Sequence, residues 1–174
     1  MTSDGFKVLV LCTGNSCRSV LAEVLINGLA RGRYRAWSAG SRPAGYVHPK
    51  SIETLTRHGI DPGQPRSKSW HECAEESFDL AISVCDQAAG ESCPLFPGIP
   101  KKLHWSTPDP ATVTGSEAEI DAAFDHVFFM LKDRVEELIH NDCLFLPSGT
   151  KDEKTNQGAC RLRKEMNRAR GSVC

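Results

Sequence analysis

Phe6-Lys7-Val8-Leu9-Val10-Leu11-Cys12-Thr13-Gly14-Asn15-Ser16-Cys17-Arg18-Ser19 is the stretch on which the fold turns. Phe6 to Leu11 is a short apolar run that suits a buried strand, and the residues from Arg18 onward repeat apolar side chains at helical spacing. The segment between them is therefore a strand-to-helix loop. Such a loop gathers backbone N–H groups at one point, and the helix N-terminus adds positive potential there. The resulting concavity suits a tetrahedral oxyanion. Cys12 stands at its floor, where the same field stabilises a thiolate and makes it nucleophilic. Arg18, six residues on, can fork two N–H donors onto the anion, and the Ser19 hydroxyl can donate to the Cys12 sulfur. Thr13, Gly14, Asn15, Ser16 and Cys17 complete the oxyanion loop, with Asn15 expected to brace it through its side chain and Cys17 to be a packed thiol. A cysteine after a buried strand is on its own only a small hydrophobe, and Gly-Asn only a turn pair. It is the joint spacing of Cys, Arg and Ser between strand and helix that points to chemistry at sulfur.

The rest of the chain is read around that loop. Leu21, Val24, Leu25 and Leu29 give the first helix its apolar positions, and Gly32 lies past its end. Tyr34 to Ala39 reads as a second strand, closed by Gly40. His48 to Gly59 reads as a helix with Pro49 at its first position, and Ser69 to Glu75 as a short one. Phe78 to Val84 suits a buried strand and Lys102 to Trp105 a short fourth. Ser116 and Glu119 form a capping box for a helix running to about His140, which is expected to bury Ile120, Phe124, Val127, Leu131, Val135 and Leu138. Strands alternating with helices imply an α/β fold whose parallel sheet is covered on both faces and binds ligands at the carboxyl ends of its strands. Cys12, Cys85 and the loop after Trp105 all fall on that edge.

At 174 residues, 40% apolar and 25% charged, the chain suits one domain. A net charge of −1 gives no reason to expect nucleic acid as a partner. No apolar run reaches the ~20 residues of a membrane span, and the N-terminus shows no secretory pattern. A monomer in the cytoplasm is expected. Eight cysteines without a signal peptide favour catalytic over structural roles. No CxxC pair exists, and His71-Glu72-Cys73 offers at most two ligands, so no metal site is expected. The catalytic domain is expected over residues 1–146. From 147 to 174 the chain becomes a solvated basic tail, with seven Lys or Arg against three acidic residues after position 150.

Two further features complete the constellation. Asp109 lies between Pro108 and Pro110, in a stiff loop from which a carboxyl could protonate a leaving oxygen. Cys85 and Cys93 flank a small polar segment able to move, as thiol–disulfide exchange requires.

With these residues together, the chain resembles the low-molecular-weight tyrosine phosphatase superfamily over about residues 6 to 140. The resemblance rests on the Cys12–Ser19 loop, the Asp109-Pro110 pair and the strand–helix order, and it implies a three-layer sandwich on a four-stranded parallel sheet. Within the superfamily the chain is similar to the arsenate reductases. Ala111 stands where the phosphatases carry a tyrosine, and His104-Trp105 and the paired cysteines after the third strand match the reductase pattern. The resemblance implies a three-cysteine relay, Cys12, Cys85 and Cys93, with Arg18 holding arsenate and Asp109 assisting loss of water. It implies no bound cofactor and an external thiol reductant, thioredoxin or glutathione with glutaredoxin. The spacer between Cys85 and Cys93 is slightly longer than in thioredoxin-coupled members, and Cys160 and Cys174 are extra to the pattern. Some members bind potassium through residues matching Asn15, Glu23 and Ser38. The remaining ligand has no counterpart around Arg66 to Ser69, so no such site is carried over. The alternative is a phosphatase using Cys12, Arg18 and Asp109 alone. A third class, a non-catalytic arsenic or oxyanion sensor, would be expected to show a basic recognition helix, and none is apparent outside the tail.

Overall fold

The computed structural model describes residues 5–84 and 99–141. Four parallel strands form one sheet in the order β2-β1-β3-β4, where β1 is Phe6–Cys12, β2 Tyr34–Gly40, β3 Leu80–Ser83 and β4 Lys101–His104. The register aligns Cys12 with Gly40, Leu11 with Ser83, and Ser83 with His104, so the carboxyl ends of all four strands form one edge.

Period-two alternation assigns the two faces of this sheet. Leu9, Leu11 and Ala39 point to one side and pack with Cys73 and Phe78, with Trp37, Trp70 and Ile99 against them. Trp37 and Phe78 meet edge to face, their ring centres 5.5 Å apart. The opposite side belongs to α1 (Arg18–Leu29), whose Asn27 exchanges two hydrogen bonds with the Ala36 main chain. The α1 helix buries more than one stripe: Val20, Ala22 and Ile26 are covered as well as Leu21, Val24 and Leu25. It packs on both β1 and β2 and also meets α2 (Pro49–Arg57).

The helix α2 starts where proline predicts, with His48 as its cap accepting from Lys50 N–H. It is tied to α3 (Glu117–His140) through Lys50–Asp121 at 2.9 Å and Arg57–Asp125 at 2.6 Å, and His58 stacks on Phe128. The capping box that opens α3 is formed: Ser116 N–H donates to Glu119, and Glu119 N–H donates to the Ser116 hydroxyl. Phe124, Val127, Leu131 and Val135 are buried as the periodicity predicts, whereas Ile120 in the first turn is only half-buried. Phe128 is buried too, a residue the spacing did not single out.

Three elements differ from the sequence reading. The third strand is shorter than Phe78 to Val84, because Asp79 is engaged with Lys7 of β1 before the ladder begins: its N–H donates to Lys7 C=O and its carboxylate accepts from Lys7 N–H. The fourth strand starts at Lys101 and ends at His104, although Trp105 N–H still donates to Ser83 C=O. The segment after Ser69 is a single 3-10 turn, Trp70–Cys73, capped reciprocally by Ser69 and Glu72. Among the described residues no helix is long and apolar enough to cross a membrane. Cys85, Cys93, Cys160, Cys174 and the basic tail lie outside the described residues.

Candidate active site

The loop from Cys12 to Ser19 owes its shape to the chain running out of β2. Carbonyls of Cys12, Thr13, Gly14 and Ser16 accept from the N–H groups of Ser41, Arg42, Ala44 and His48 at 2.8–3.2 Å. A trans peptide sends its N–H opposite to its C=O, so each outward carbonyl commits the next residue's N–H to the inner side of the loop. For the Gly14–Asn15 peptide the inner partner is explicit: Asn15 N–H donates to Cys12 Sγ at 3.0 Å. The turn requires a left-handed backbone at Asn15 (φ 44°), which asparagine tolerates better than most side chains. It also requires a bare Cα at Gly40 on the neighbouring strand. A Cβ there would lie 2.5 Å from Thr13 O and 3.0 Å from Asn15 Cβ.

Asn15 is fully buried, and each of its polar side-chain atoms is bonded. Oδ1 accepts from Lys68 N–H at 2.7 Å, while Nδ2 donates to Ser19 Oγ at 2.9 Å and Ser38 Oγ at 2.8 Å. Ser19 Oγ lies 2.8 Å from Cys12 Sγ. Ser38 donates to Glu23, whose same carboxylate oxygen faces Lys68 Nζ at 3.5 Å. Asn15, Ser38 and Glu23, the residues compared with a potassium site, thus come together with the ammonium of Lys68 beside them.

The two loop cysteines are in opposite circumstances. Cys12 is buried at the end of β1, with Asn15 N–H donating to its sulfur and the Ser19 hydroxyl 2.8 Å away. Cys17, at the start of α1, is buried among packed side chains; desolvation pushes its thiol up to about 11, against the weaker opposing effect of hydrogen bonds with Ser51 and Ser16. Because the folded chain holds this proton more tightly than the unfolded chain, stability depends on pH. Below the thiol's unfolded value, near 9, the proton is held in both states and the contribution is complete. As pH rises toward about 11 the unfolded chain ionises first, and the contribution is lost. Between pH 9 and 11 the wild type should therefore lose more stability than Cys17→Ala, by on the order of 2 kcal/mol at the upper end. Thermal unfolding of the pair across that range checks it, and parallel curves would refute the assignment.

Arg18 opens α1 and reaches across the carboxyl edge of the sheet. Its guanidinium donates to Thr107 C=O at 3.0 Å and to Asp109 Oδ2 at 2.8 Å. The second Asp109 oxygen accepts from Ala111 N–H at 3.1 Å, capping the short turn Pro110–Thr112. Thr107, 1% exposed, donates to Trp105 C=O and accepts from Arg134 of α3. The described candidates, Cys12 through Ser19 and Asp109, thus meet at one sheet edge. For the other two the last observable point is Val84, which is buried and donates to Leu11 C=O, one residue before Cys85. The sequence reading did not single out Lys68, Thr107 or Arg134 as site residues. Nothing in their local sequence marks them, because their partners on other elements lie 27 to 89 residues away.

A sulfur under main-chain donors, a guanidinium at the first turn of the helix and a carboxylate from a distant loop can hold and attack a tetrahedral oxyanion. The pattern of the low molecular weight phosphotyrosine protein phosphatases matches residues 7–144. The chain belongs to that family. Among its relatives is the arsenate reductase of Bacillus subtilis (strain 168), 32% identical over 130 residues, which span 75% of this chain and 92% of the relative. A solved structure of an arsenate reductase in the phosphate binding state superposes with a TM-score of 0.64 at 31% identity, covering 77% of this chain and 96% of that one. A thioredoxin-dependent arsenate reductase of Corynebacterium glutamicum superposes with a TM-score of 0.56 at 26% identity, over 79% of this chain and 65% of that one. The four-stranded parallel sheet is therefore that of the low molecular weight phosphatase fold.

Proposed function

We propose that this protein is an arsenate reductase that takes arsenate in the Cys12–Ser19 loop and returns arsenite. The observation that carries it is the sulfur of Cys12, receiving Asn15 N–H at 3.0 Å and facing the Ser19 hydroxyl at 2.8 Å, in a chain whose relatives include arsenate reductases. Donors on sulfur stabilise thiolate over thiol, and the thiolate is the nucleophile. Arg18 offers five N–H donors, of which two are engaged with the Thr107–Asp109 segment, so donors remain for the anion's oxygens.

In the proposed cycle the Cys12 thiolate forms a bond to arsenic, and one arsenate oxygen leaves as water. Asp109, an acceptor from Arg18 and Ala111 in the resting geometry, relays a proton from solvent to that oxygen. The Cys85 thiolate then attacks Cys12 Sγ. The S–S bond forms as the S–As bond breaks, and arsenic keeps that electron pair, passing from the pentavalent to the trivalent state as arsenite. Cys93 next attacks Cys85, releasing the Cys12 thiolate and leaving a Cys85–Cys93 disulfide, which an external dithiol reduces. Thioredoxin is the donor this scheme favours, glutathione with glutaredoxin the second. No cofactor is held between cycles, and the cytoplasm, where such thiols are kept reduced, is the expected compartment.

The second reading, hydrolysis of a phosphomonoester by Cys12, Arg18 and Asp109, draws on the same cradle. It is disfavoured by Ala111, which offers no ring for an aromatic ester to stack on beside Pro110. Arsenate-dependent NADPH oxidation, measured with thioredoxin and its reductase and in parallel with glutathione and glutaredoxin, tests the proposal. Turnover with either system is expected. Silence in both, with robust aryl phosphate hydrolysis, would reverse the order of the two readings.

A further inference from the structure

We propose that Glu23 and Lys68 are positioning residues that set the direction of the hydrogen-bond chain ending on Cys12, so that the Ser19 hydroxyl gives its hydrogen to the sulfur. The inference rests on Cys12 being the nucleophile. A hydroxyl beside a sulfur can donate or accept, and the 2.8 Å separation of Ser19 Oγ and Cys12 Sγ does not decide between them. The rest of the chain does. The main-chain N–H of Lys68 can only donate and lies 2.7 Å from Asn15 Oδ1, which fixes the side-chain amide with Nδ2 toward the two serines. An amide nitrogen has two hydrogens and nothing to accept with. Both Ser19 and Ser38 therefore receive from Asn15, and each must place its own hydrogen elsewhere.

Ser38 places its hydrogen on Glu23, and the ionised carboxylate can only accept. Ser19 has Cys12 Sγ in reach, and the sulfur already receives Asn15 N–H at 3.0 Å. Two donors converge on one sulfur, an arrangement that stabilises a thiolate more than a thiol, whose sulfur accepts only weakly. The carboxylate that polarises the far end is largely buried (16% exposed), and a charge in that position needs a partner. Lys68 Nζ supplies it, on an equally sheltered side chain (11% exposed). One residue thus holds the chain at two points, its N–H on Asn15 and its ammonium beside Glu23. Neither Glu23 nor the Lys68 side chain bonds to Cys12, so both act through others.

The test uses the full-length protein and the variants Glu23→Gln, Lys68→Met and Lys68→Arg. Three readouts are taken: the rate of Cys12 alkylation by iodoacetamide at pH 7, followed by peptide mapping; the dissociation constant for inorganic phosphate; and kcat and KM for arsenate. Glu23→Gln and Lys68→Met are expected to slow alkylation and lower kcat about tenfold. Phosphate affinity and KM should move by less than about threefold, since the main-chain cradle is kept, and Lys68→Arg should restore most of the loss. Should Glu23→Gln fold poorly, the Lys68 pair carries the same comparison. Wild-type alkylation rates in both charge-removing variants would overturn the proposal. So would losses that appear equally in phosphate affinity, for then the pair merely supports the loop. If wild-type Cys12 itself alkylates no faster than an exposed peptide thiol, the nucleophile assignment falls, and this inference with it.

Discussion

Replacing Cys12 by serine is expected to lower arsenate turnover by about a thousandfold or more, and to lower any phosphomonoester hydrolysis by as much. The geometry says why the loss should fall on chemistry rather than on binding. The inward N–H groups belong to the main chain, and their direction is set by carbonyl bonds to Ser41, Arg42, Ala44 and His48. None of these depends on the atom at the Cys12 Sγ position. Arg18 is likewise held from Thr107 and Asp109. A serine hydroxyl in the same place stays protonated at neutral pH, accepts weakly from Asn15 N–H, and attacks poorly. Titration with inorganic phosphate should accordingly give a dissociation constant within a few-fold of wild type, while the steady-state assay is flat. Residual turnover within tenfold of wild type would mean that another group forms the bond to arsenic.

Cys85→Ser should separate reduction from hydrolysis. In the proposed cycle the first step needs only Cys12, Arg18 and Asp109, and the second needs a sulfur that can attack Cys12. Without it the arsenic adduct has no route to arsenite, and arsenate-dependent NADPH oxidation should fall at least about a hundredfold. Hydrolysis of an aryl phosphate, which proceeds by attack of water on the phosphocysteine, should stay within about threefold. A variant that retains full arsenate turnover would show that the electrons leave by a path other than Cys85, with an external thiol attacking Cys12 directly as the simplest alternative. Cys93→Ser then tells where the relay ends, since a reductant able to attack the Cys12–Cys85 bond would make the third cysteine dispensable.

The fold was legible because its signals are local. A strand of Val and Leu running into a Cys-to-Arg loop, proline at the start of α2, and the Ser116–Glu119 box each depend on residues within a few positions of one another. The boundaries that moved did so for tertiary reasons, as when Asp79 turned to the Lys7 main chain and shortened β3. In the site, the loop could be read for the same local reason, and Asp109 through the prolines around it. The pairing of Arg18 with Asp109 spans 91 positions, and no spacing announces it. Lys68 was invisible for the same cause. A lysine in a polar stretch reads as solvated surface, and only the fold brings its N–H to Asn15 and its ammonium to Glu23. Cys85 and Cys93 are read from the strand end and the small polar segment between them, and their place in a relay from the resemblance; both lie outside the described residues.

Gly40 carries a consequence for anyone wishing to retune this enzyme. The strand neighbouring Cys12 looks like the natural place from which to reach the bound anion, yet any side chain at that position would collide with the loop's own backbone. That approach is closed to evolution and to libraries alike. Altered selectivity among tetrahedral anions must therefore come from another part of the same sheet edge, such as the segment around Asp109, which meets Arg18 and whose residues 111–113 are exposed.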